Sequence, residues 1–257
     1  TLFYYWILLL CVTIEEPNRR YFLLQGEKML KTAYQRSPKQ ELAKNTPFFN
    51  ETDLTHSFII DFENQEFIHH QAEPLNYLFY LIKGKAKILK TERNGRQSIV
   101  QFLTAGDLIG DLTLVQAETI TKDVIALGET CCLAVPLAYA ETVLKNKVLF
   151  MQQLSHYLGK KMLQRVDHFT TNQTYELSYR LAELLLVAAN HEDVYKEKHT
   201  EIAEYLGVSY RHLIYTFKQF RERGFIQKQG TAYHINRLAL HSFVTKTEEL
   251  VLNTGCD

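Results

Sequence analysis

The stretch HTEIAEYLGVSYRHLIYTFKQFRERG, residues 199–224, holds two short helical patterns on either side of a glycine. In the first pattern, Ile202, Ala203 and Leu206 fall on one face of a helix with 3.6 residues per turn. Gly207 follows at the position where helices commonly end in a left-handed residue, a conformation that glycine adopts without steric cost. The pattern therefore predicts a short helix that ends at this turn.

The second pattern begins after Ser209, whose hydroxyl oxygen is well suited to cap the first turn of a helix. Its apolar positions recur every three or four residues and predict a buried face made of Leu213, Phe217 and Phe220, with Ile214 beside them. A short helix, a glycine turn and a capped second helix predict a helix-turn-helix, in which the second helix enters the major groove of DNA.

The polar side chains of this second helix fit such a use. Its outward face is predicted to carry Tyr210, Arg211, His212 and Tyr215 in the first two turns, followed by Lys218 and Arg221. Residues 196–228 contain seven Lys or Arg and four Asp or Glu, a local excess of three positive charges that suits a polyanionic partner. The alternative is a solvated amphipathic helix pair without a ligand.

The composition is that of an ordinary globular protein. Apolar residues make up 46% and charged residues 23% of the 257-residue chain, which is long enough for one large or two medium domains. The net charge is zero, so any affinity for nucleic acid must be local. Four cysteines show no C-x-x-C pair and no metal-ligand spacing: Cys11, Cys131, Cys132 and Cys256. The adjacent pair lies in a predicted strand, which indicates buried thiols rather than a redox sensor.

The amino terminus has an unusual composition. Residues 2–12, LFYYWILLLCV, form an apolar run that is too short to span a bilayer and lacks the features of a signal peptide. The codons of residues 25–28, Gln-Gly-Glu-Lys, can spell a purine-rich ribosome-binding site just before Met29. We therefore interpret residues 1–28 as a translated leader and Met29 as the native start. The alternative is a genuine N-terminal hydrophobic helix, and the mass of the protein made from its own gene distinguishes the two.

A strand-rich region is predicted between a short helix, at about residues 41–49, and Val135. Its segments are short, with glycines near the corners: SFIIDF, EFIHH, NYLFYLIKGKAKILK, RQSIVQFL, DLIGDLTL, DVIAL and CCLAV. The dipeptide Asn94–Gly95 is a hairpin signal between two of them. Closely spaced short strands with glycine corners predict an antiparallel barrel or a double-sheet roll.

The remainder of the chain is predicted to be mainly helical. An apolar stripe within residues 147–169 recurs every three or four residues and consists of Met151, Leu154, Leu158, Met162, Val166 and Phe169. This long helix can pack on its own domain or pair with a symmetry mate, and we favour pairing because helix-turn-helix proteins usually bind DNA as dimers. Residues 177–191 predict an apolar core helix, residues 225–236 a two-stranded wing, and residues 238–244 a last helix before a polar tail.

Taken in order, these elements resemble the Crp/Fnr family of bacterial transcription regulators over roughly residues 40–245. Three motifs carry the resemblance: YLIKGKAKIL, GDLIGDLTL and EIAEYLGVSYRHLIYTFKQF; within the last, GVSYRHL is similar to one branch of the family. The resemblance implies an α+β fold. An antiparallel, cupin-like β-roll of the cyclic-nucleotide-binding type would occupy residues 29–146, a dimerisation helix residues 147–172, and a winged helix-turn-helix residues 173–257.

The resemblance also places the residues that contact DNA. The first recognition-helix positions fall on Ser209, Tyr210, Arg211 and His212, with a further one at Tyr215. The Arg211 guanidinium can donate two hydrogen bonds to guanine O6 and N7, whereas Thr200, Ser209 and Lys218 are better placed for phosphates. Tyr215 stands where the commoner family pattern has a second arginine, so we expect the operator to differ from the familiar consensus.

The sensor departs from the cyclic-nucleotide-binding members. Gly110–Asp111 stands in place of their Gly-Glu pair, and Ile120–Thr121 keeps the hydroxyl of their Arg-Ser or Arg-Thr pair but loses the arginine. Lys122 is the nearest cation, and on a strand its side chain would point away from that of Thr121. A phosphate without its bidentate partner argues against cyclic AMP and leaves the effector unknown.

Neither a cofactor nor a metal ion is expected. The cysteine spacing cannot hold an iron–sulfur cluster. His69–His70 is the only paired candidate for a haem ligand, and histidines at a strand end are expected to be solvated or structural. The roll also lacks the His-x-His pattern of a metal cupin, and no nucleophile and base stand together. The chain is therefore not expected to be an enzyme.

The sequence thus predicts a sequence-specific DNA-binding transcription regulator. It would be a cytoplasmic homodimer on a two-fold-symmetric operator, without a membrane association, and with RNA polymerase as a further partner if it activates. The alternative is a nucleotide- or small-molecule-sensing module whose C-terminal domain docks protein rather than DNA. Neutralising Arg211 separates the two, because only DNA binding would collapse. A metal-free cupin enzyme is a third, weaker interpretation.

Overall fold

The computed structural model describes residues 14–16, 19–24, 27–44, 46–92, 95, 97–190 and 192–254. Its strands are β1 (Ile14–Glu16), β2 (Arg19–Leu24), β3 (Glu27–Ala33), β4 (Phe58–Phe62), β5 (Phe67–His69), β6 (Tyr77–Lys83), β7 (Lys85–Thr91), β8 (Gln97–Thr104), β9 (Leu108–Ile109), β10 (Asp123–Ala126), β11 (Thr130–Pro136), β12 (Val194–Tyr195), β13 (Ile226–Gln229) and β14 (Ala232–Ile235). Its helices are α1 (Gln40–Ala43), α2 (Glu51–Thr55), α3 (Asp111–Leu114), α4 (Leu137–Thr142), α5 (Val148–Thr174), α6 (Leu177–Ala188), α7 (His199–Tyr205), α8 (Tyr210–Glu222) and α9 (Arg237–Thr254). None of the described helices has the length and apolar character needed to cross a membrane.

The strands form three sheets. The first has the order β1-β2-β3-β4-β11-β6-β9, the second β5-β10-β7-β8 and the third β12-β14-β13. Strand β11 lies between β4 and β6, where Cys132 faces Ile60 on one side and Leu81 on the other. Its residues from Thr130 to Val135 are all buried, which explains why this strand reads as a continuous apolar run rather than an alternation.

Residue contacts divide the chain into two compact units, one made of residues 1–86 and 103–158 and the other of residues 87–102 and 159–257. The core of the first unit combines side chains from its strands with apolar residues of the helices and loops before and after them: Phe48, Phe49, Leu54, Leu78, Leu108, Leu133, Leu144, Phe150 and Leu154 are among them.

A buried carboxylate organises the edge of this core. Asn50 and Asp53 form a capping box at the start of α2, in which each side chain accepts a hydrogen bond from the backbone N–H of the other residue. The Asp53 carboxylate also accepts a hydrogen bond from the Tyr139 hydroxyl at 2.8 Å and contacts the Lys147 ammonium. These contacts tie α2 to α4 and to the start of α5.

The second unit has its own core. The largest fully buried side chains there are Tyr195, Phe217 and Phe220, and α6 contributes Leu181 and Leu185. Because α6 is apolar over most of its surface, it can pack against both α8 and α9, as its composition predicts. The Tyr179 hydroxyl on α6 donates a hydrogen bond to the Glu248 carboxylate on α9 at 2.8 Å.

The structure confirms the succession of a β-roll, a long helix and a winged helix-turn-helix, and it corrects several elements. The segment DLIGDLTL is not one strand, because Leu108–Ile109 forms β9 and residues 111–114 form the helix α3. The last helix runs to Thr254 instead of ending at residue 244. Of the predicted helix at residues 41–49, only the start is helical, as part of α1, and α2 begins after this range, at Glu51.

Other predictions concern residues at the edge of the described chain. The apolar run 2–12 and Asn94 of the hairpin signal lie outside the described residues. Within the proposed leader, residues 14–16 and 19–24 form β1 and β2, and β3 includes Met29.

Candidate nucleic-acid interface

The turn of the helix-turn-helix is built as the sequence indicates. Gly207 has a φ of +64°, the left-handed conformation that strains a residue with a side chain. Its N–H donates to the Glu204 carbonyl at 3.0 Å, and the Val208 N–H donates to the Ala203 carbonyl at 2.9 Å. These two bonds form a Schellman motif, which satisfies carbonyls at the end of α7 and directs the chain toward α8.

Ser209 caps α8. Its extended backbone precedes the first helical residue, and its Oγ accepts a hydrogen bond from the His212 N–H at 3.2 Å. The cap satisfies one of the backbone donors that a helix leaves unpaired at its amino end. It also fixes where α8 begins, and therefore which residues occupy its first turn.

Helix α8 is strongly two-faced. Leu213, Phe217 and Phe220 are buried, as predicted, and Thr216 is buried with them. On the opposite face, the side chains of Tyr210 and Tyr215 are 54% and 58% exposed. The other exposed residues predicted to contact DNA are Arg211, His212 and Lys218 on α8 and Thr200 on α7. The structure thus gathers the predicted recognition residues on the outer surface of one helix, with Thr200 on the helix before it.

Two side chains that the sequence analysis did not identify hold the end of α7. Arg180 of α6 donates from its guanidinium to the Leu206 carbonyl at 2.6 Å and to the Asn172 side-chain oxygen at 3.2 Å. Asn172 of α5 donates in turn to the Tyr205 carbonyl at 3.3 Å. Carbonyl groups at the carboxyl end of a helix lack hydrogen-bond donors within the helix. Arg180 and Asn172 supply such donors at the end of α7. No local sequence pattern marks such long-range partners.

The wing contains one more strand than predicted. Strand β12 pairs with β14, which also pairs with β13. The segment is anchored by Arg237, whose guanidinium donates to the Asp193 carboxylate at 2.6 Å and to the Leu186 carbonyl at 3.1 Å. The two-residue strand β12 is too short to show an alternation of polar and apolar residues, so the sequence could not reveal it.

The electrostatics of this surface come from permanently charged residues. Burial lowers the pKa of His199, and the nearby Lys228 ammonium lowers it further, so this imidazole is neutral at pH 7. The exposed cations on α8 and in the residues that follow are Arg211, Lys218, Arg221, Arg223 and Lys228. Lys218 lies 3.9 Å from the exposed Glu222 carboxylate, a contact that solvent screens.

The predicted effector pocket lies in the first unit. Gly110 caps α3 with a φ of +92°, a conformation that strains a residue with a side chain, and a Cβ there would lie 2.3 Å from Leu75 Cδ2. Asp111 is buried in the first turn of α3. The Thr121 hydroxyl donates to the Glu73 carbonyl at 3.2 Å. Gly110 and Thr121 are thus both in contact with the segment 73–77.

The expected alternation of Thr121 and Lys122 on a strand is wrong, because β10 begins only at Asp123. The Lys122 ammonium instead forms an ion pair with the Glu118 carboxylate. The Asp123 carboxylate accepts a hydrogen bond from the Gln71 N–H at 2.7 Å. Each of the charged groups in these contacts is already engaged by a neighbour.

The histidine pair His69–His70 and the adjacent cysteines of the first unit are placed as the sequence suggests. His70 stacks on Phe67, and the half-buried His69 has a pKa lowered mainly by burial. Cys131 and Cys132 are buried free thiols. In the part of the chain that the structure describes, no three His, Cys, Asp or Glu side chains are grouped so as to hold a metal ion.

Comparisons with known proteins agree with this geometry. Residues 59–147 match the cyclic nucleotide-binding domain family, and residues 179–241 match the Crp-like helix-turn-helix domain family. A β-roll of the first type joined to a DNA-binding domain of the second defines a class of transcription regulators.

The chain belongs to the Crp/Fnr family of transcription regulators, and it is not an enzyme. It is 36% identical to the regulatory protein YeiL of Escherichia coli O157:H7 over 177 residues, which cover 69% of this chain and 80% of that protein. YeiL typifies the branch to which the run GVSYRHL is similar. The chain is also 21% identical to the cAMP-activated global transcriptional regulator CRP of Salmonella typhimurium, over 69% of this chain and 89% of that one.

Solved structures share the fold. A Crp/Fnr family regulator from Thermus thermophilus matches with a TM-score of 0.58 at 15% identity, covering 73% of this chain and 98% of that chain. FixK2 from Bradyrhizobium japonicum matches with a TM-score of 0.54 at 19% identity, over 72% and 96% of the two chains.

Proposed function

We propose that this regulator binds a two-fold-symmetric operator as a homodimer and reads base edges through the first two turns of α8. The observation that carries the proposal is the exposed row of Tyr210, Arg211, His212 and Tyr215 on a helix whose other face is buried. Ser209, Thr200 and Lys218 lie at the margins of this surface, where they suit phosphates. The match to a DNA-binding family favours DNA over a docked protein as the partner of this surface.

The test is a selection of bound sequences from a random DNA pool, using the full chain. We expect enrichment of an inverted repeat whose half-sites are about one helical turn apart. Arg211→Ala should relax the preference at one base pair of each half-site, by about 1–3 kcal/mol, while the other positions keep theirs. Gln219→Ala, further along α8, is the matched control. A pool without any enriched repeat would contradict the proposal.

A second copy of the chain is the partner that α5 suits. Within the second unit, Met162, Leu163, Val166 and Phe169 are 63%, 60%, 53% and 62% exposed and follow one another at helical spacing. The earlier part of the predicted stripe does not share this role, because Leu154 is buried in the core of the first unit. An exposed apolar stripe of this kind is expected to pair with an identical helix.

Sedimentation of the full chain tests the pairing. Val166→Asp places a charge in the middle of the stripe and should convert the dimer into a monomer at micromolar concentration. Gln164→Asp adds the same charge on the opposite side of α5 and should leave the dimer intact. Equal sedimentation of the two variants would argue against pairing through this face.

We further infer that cyclic AMP is not the effector. The residues at the family's phosphate position include no arginine, and Lys122 is committed to Glu118. The Thr121 hydroxyl is engaged by a backbone carbonyl, and Glu73, Glu118 and Asp123 all lie near His69. Such acidic surroundings disfavour a cyclic phosphate. The proposed domains are the β-roll, residues 29–146, the dimerisation helix, residues 147–172, and the winged helix-turn-helix, residues 173–257. The proposed regulator is cytoplasmic, and it contacts RNA polymerase if it activates transcription.

A further inference from the structure

Three charged side chains in the second unit are almost completely withdrawn from water. Lys87 of β7 is 5% exposed, Glu197 is 4% exposed and Glu201 of α7 is 6% exposed. The Lys87 ammonium contacts a Glu197 oxygen and lies 3.4 Å from a Glu201 oxygen. A fourth residue, Lys198, reaches the other Glu201 oxygen at 3.2 Å from an exposed position. The cluster links residues more than a hundred positions apart in the chain.

The position of the two carboxylates is informative. Glu197 immediately precedes α7, and Glu201 lies in its first turn. Lys87 therefore holds the amino end of the first helix of the helix-turn-helix through one carboxylate before the helix and one in its first turn. At the other end of α7, Phe102 meets Tyr205 edge to face with 5.4 Å between the ring centroids. Lys87 and Phe102 thus contact the two ends of α7.

Stability alone is a poor explanation for this cluster. Burying charges costs solvation energy, and apolar side chains of similar size commonly stabilise a core as well or better. What a buried ion pair supplies is a defined geometry, because each charge must stay within reach of its partner. The buried groups comprise two carboxylates and one ammonium, so removal of Lys87 would leave two negative charges together. The Tyr195 hydroxyl lies near both carboxylates, and because burial raises its pKa well above the ordinary value it carries no charge at pH 7.

The orientation of α7 directly affects the orientation of α8. The two helices pack against each other, and only Gly207 and Val208 stand between Leu206 and the Ser209 cap. A displacement of the start of α7 would therefore rotate the exposed face of α8 relative to the rest of the unit. Recognition of base edges requires hydrogen-bond geometry, whereas attraction to phosphates depends mainly on charge.

We propose that Lys87 is a positioning residue for DNA recognition, which sets the orientation of α8 by holding the amino end of α7 through Glu197 and Glu201. The proposal rests on the proposed function, because it concerns the same recognition helix. Lys87 is itself buried and does not belong to the surface that faces DNA. Its effect is expected in the discrimination between operator and random DNA.

The experiment compares full-chain variants on an operator selected by the unaltered protein and on random duplex DNA. Lys87→Met keeps the length of the side chain and removes its charge. We expect its operator affinity to fall about tenfold or more, the loss that accompanies a misplaced base contact, while its affinity for random DNA stays unchanged. Lys87→Arg should restore discrimination, because a guanidinium can pair with both carboxylates. Lys90→Met, on the same strand and half-exposed, is the matched control and should bind like the unaltered protein.

A second variant covers the case in which Lys87→Met does not fold. Combining Lys87→Met with Glu197→Gln and Glu201→Gln leaves no unpaired buried charge, so this triple variant should fold. Its thermal unfolding is followed beside its binding. We expect a folded protein with unchanged affinity for random DNA and operator affinity reduced about tenfold or more. A folded triple variant that discriminates as well as the unaltered protein would overturn the role of Lys87. Failure of the unaltered protein to select any operator would instead contradict the proposed function.

Discussion

At the scale of single residues, burial controls the chemistry of the two adjacent thiols in β11. Burial raises the pKa of Cys131 to about 12, with a further contribution from the neighbouring Asp61 carboxylate. Burial likewise raises the pKa of Cys132 well above its ordinary value. A thiol reacts through its thiolate, so both residues are held in the unreactive form.

We expect the peptide containing Cys131 and Cys132 to resist alkylation by iodoacetamide in the native protein at pH 8 and to react fully in denaturant. Because burial raises the folded-state pKa of Cys131, the contribution of this thiol to folding stability is full below the ordinary cysteine pKa and is lost as the pH rises to about 12. Mass spectrometry of the digested protein measures the labelling. Rapid native labelling would show that β11 opens or that the thiols are accessible.

At the scale of elements, substitutions of the α8 cap distinguish an effect on folding stability from an effect on DNA binding. Ser209→Ala removes the acceptor of the His212 N–H and should lower the free energy of unfolding by about 1 kcal/mol. Ser209→Asp keeps an acceptor at the cap and should preserve stability, yet its negative charge should weaken DNA binding. Denaturant unfolding and operator affinity are measured on both variants. An unchanged free energy of unfolding for Ser209→Ala would show that the cap is unimportant.

The same helix shows what the sequence can and cannot predict. Gly207, Ser209 and the apolar spacing of α8 act over three or four residues, so the sequence alone predicted the turn, the cap and the buried face correctly. The recognition residues followed from that spacing. The assignment of DNA contacts to individual residues stays a prediction.

Longer-range features were not predictable in this way. The Arg180 contact with the Leu206 carbonyl joins residues 26 positions apart, and the Lys87 contact with Glu197 joins residues 110 apart. Neither leaves a periodic signal, because tertiary packing alone brings these side chains together. The continuation of α9 to Thr254 was missed because the polar run TKTEE, residues 245–249, interrupts the apolar pattern of the helix.

At the scale of the whole molecule, the formal net charge of zero limits how DNA is attracted. Without a global positive field, the attraction must come from the local excess of cations in residues 196–228. Binding should therefore depend on a small number of phosphate contacts, each of which releases counterions. The salt dependence of binding then counts these contacts.

Lys218 is the α8 residue that we assign to a phosphate, and it is exposed. Lys218→Gln should reduce the slope of log K against log salt by about 0.9 for each phosphate that is no longer neutralised, and by about 1.8 for a dimer. Because phosphates carry no sequence information, the affinity should fall equally for operator variants that differ in one base pair.

Arg211→Ala should have the opposite effect. It should reduce discrimination at one base pair, and it should reduce the salt slope less than Lys218→Gln does. Titrations on matched operators between about 50 and about 200 mM salt measure both quantities. An unchanged slope for Lys218→Gln would exclude a phosphate contact by this residue, and a uniform fall in affinity for Arg211→Ala would move Arg211 from the bases to the backbone.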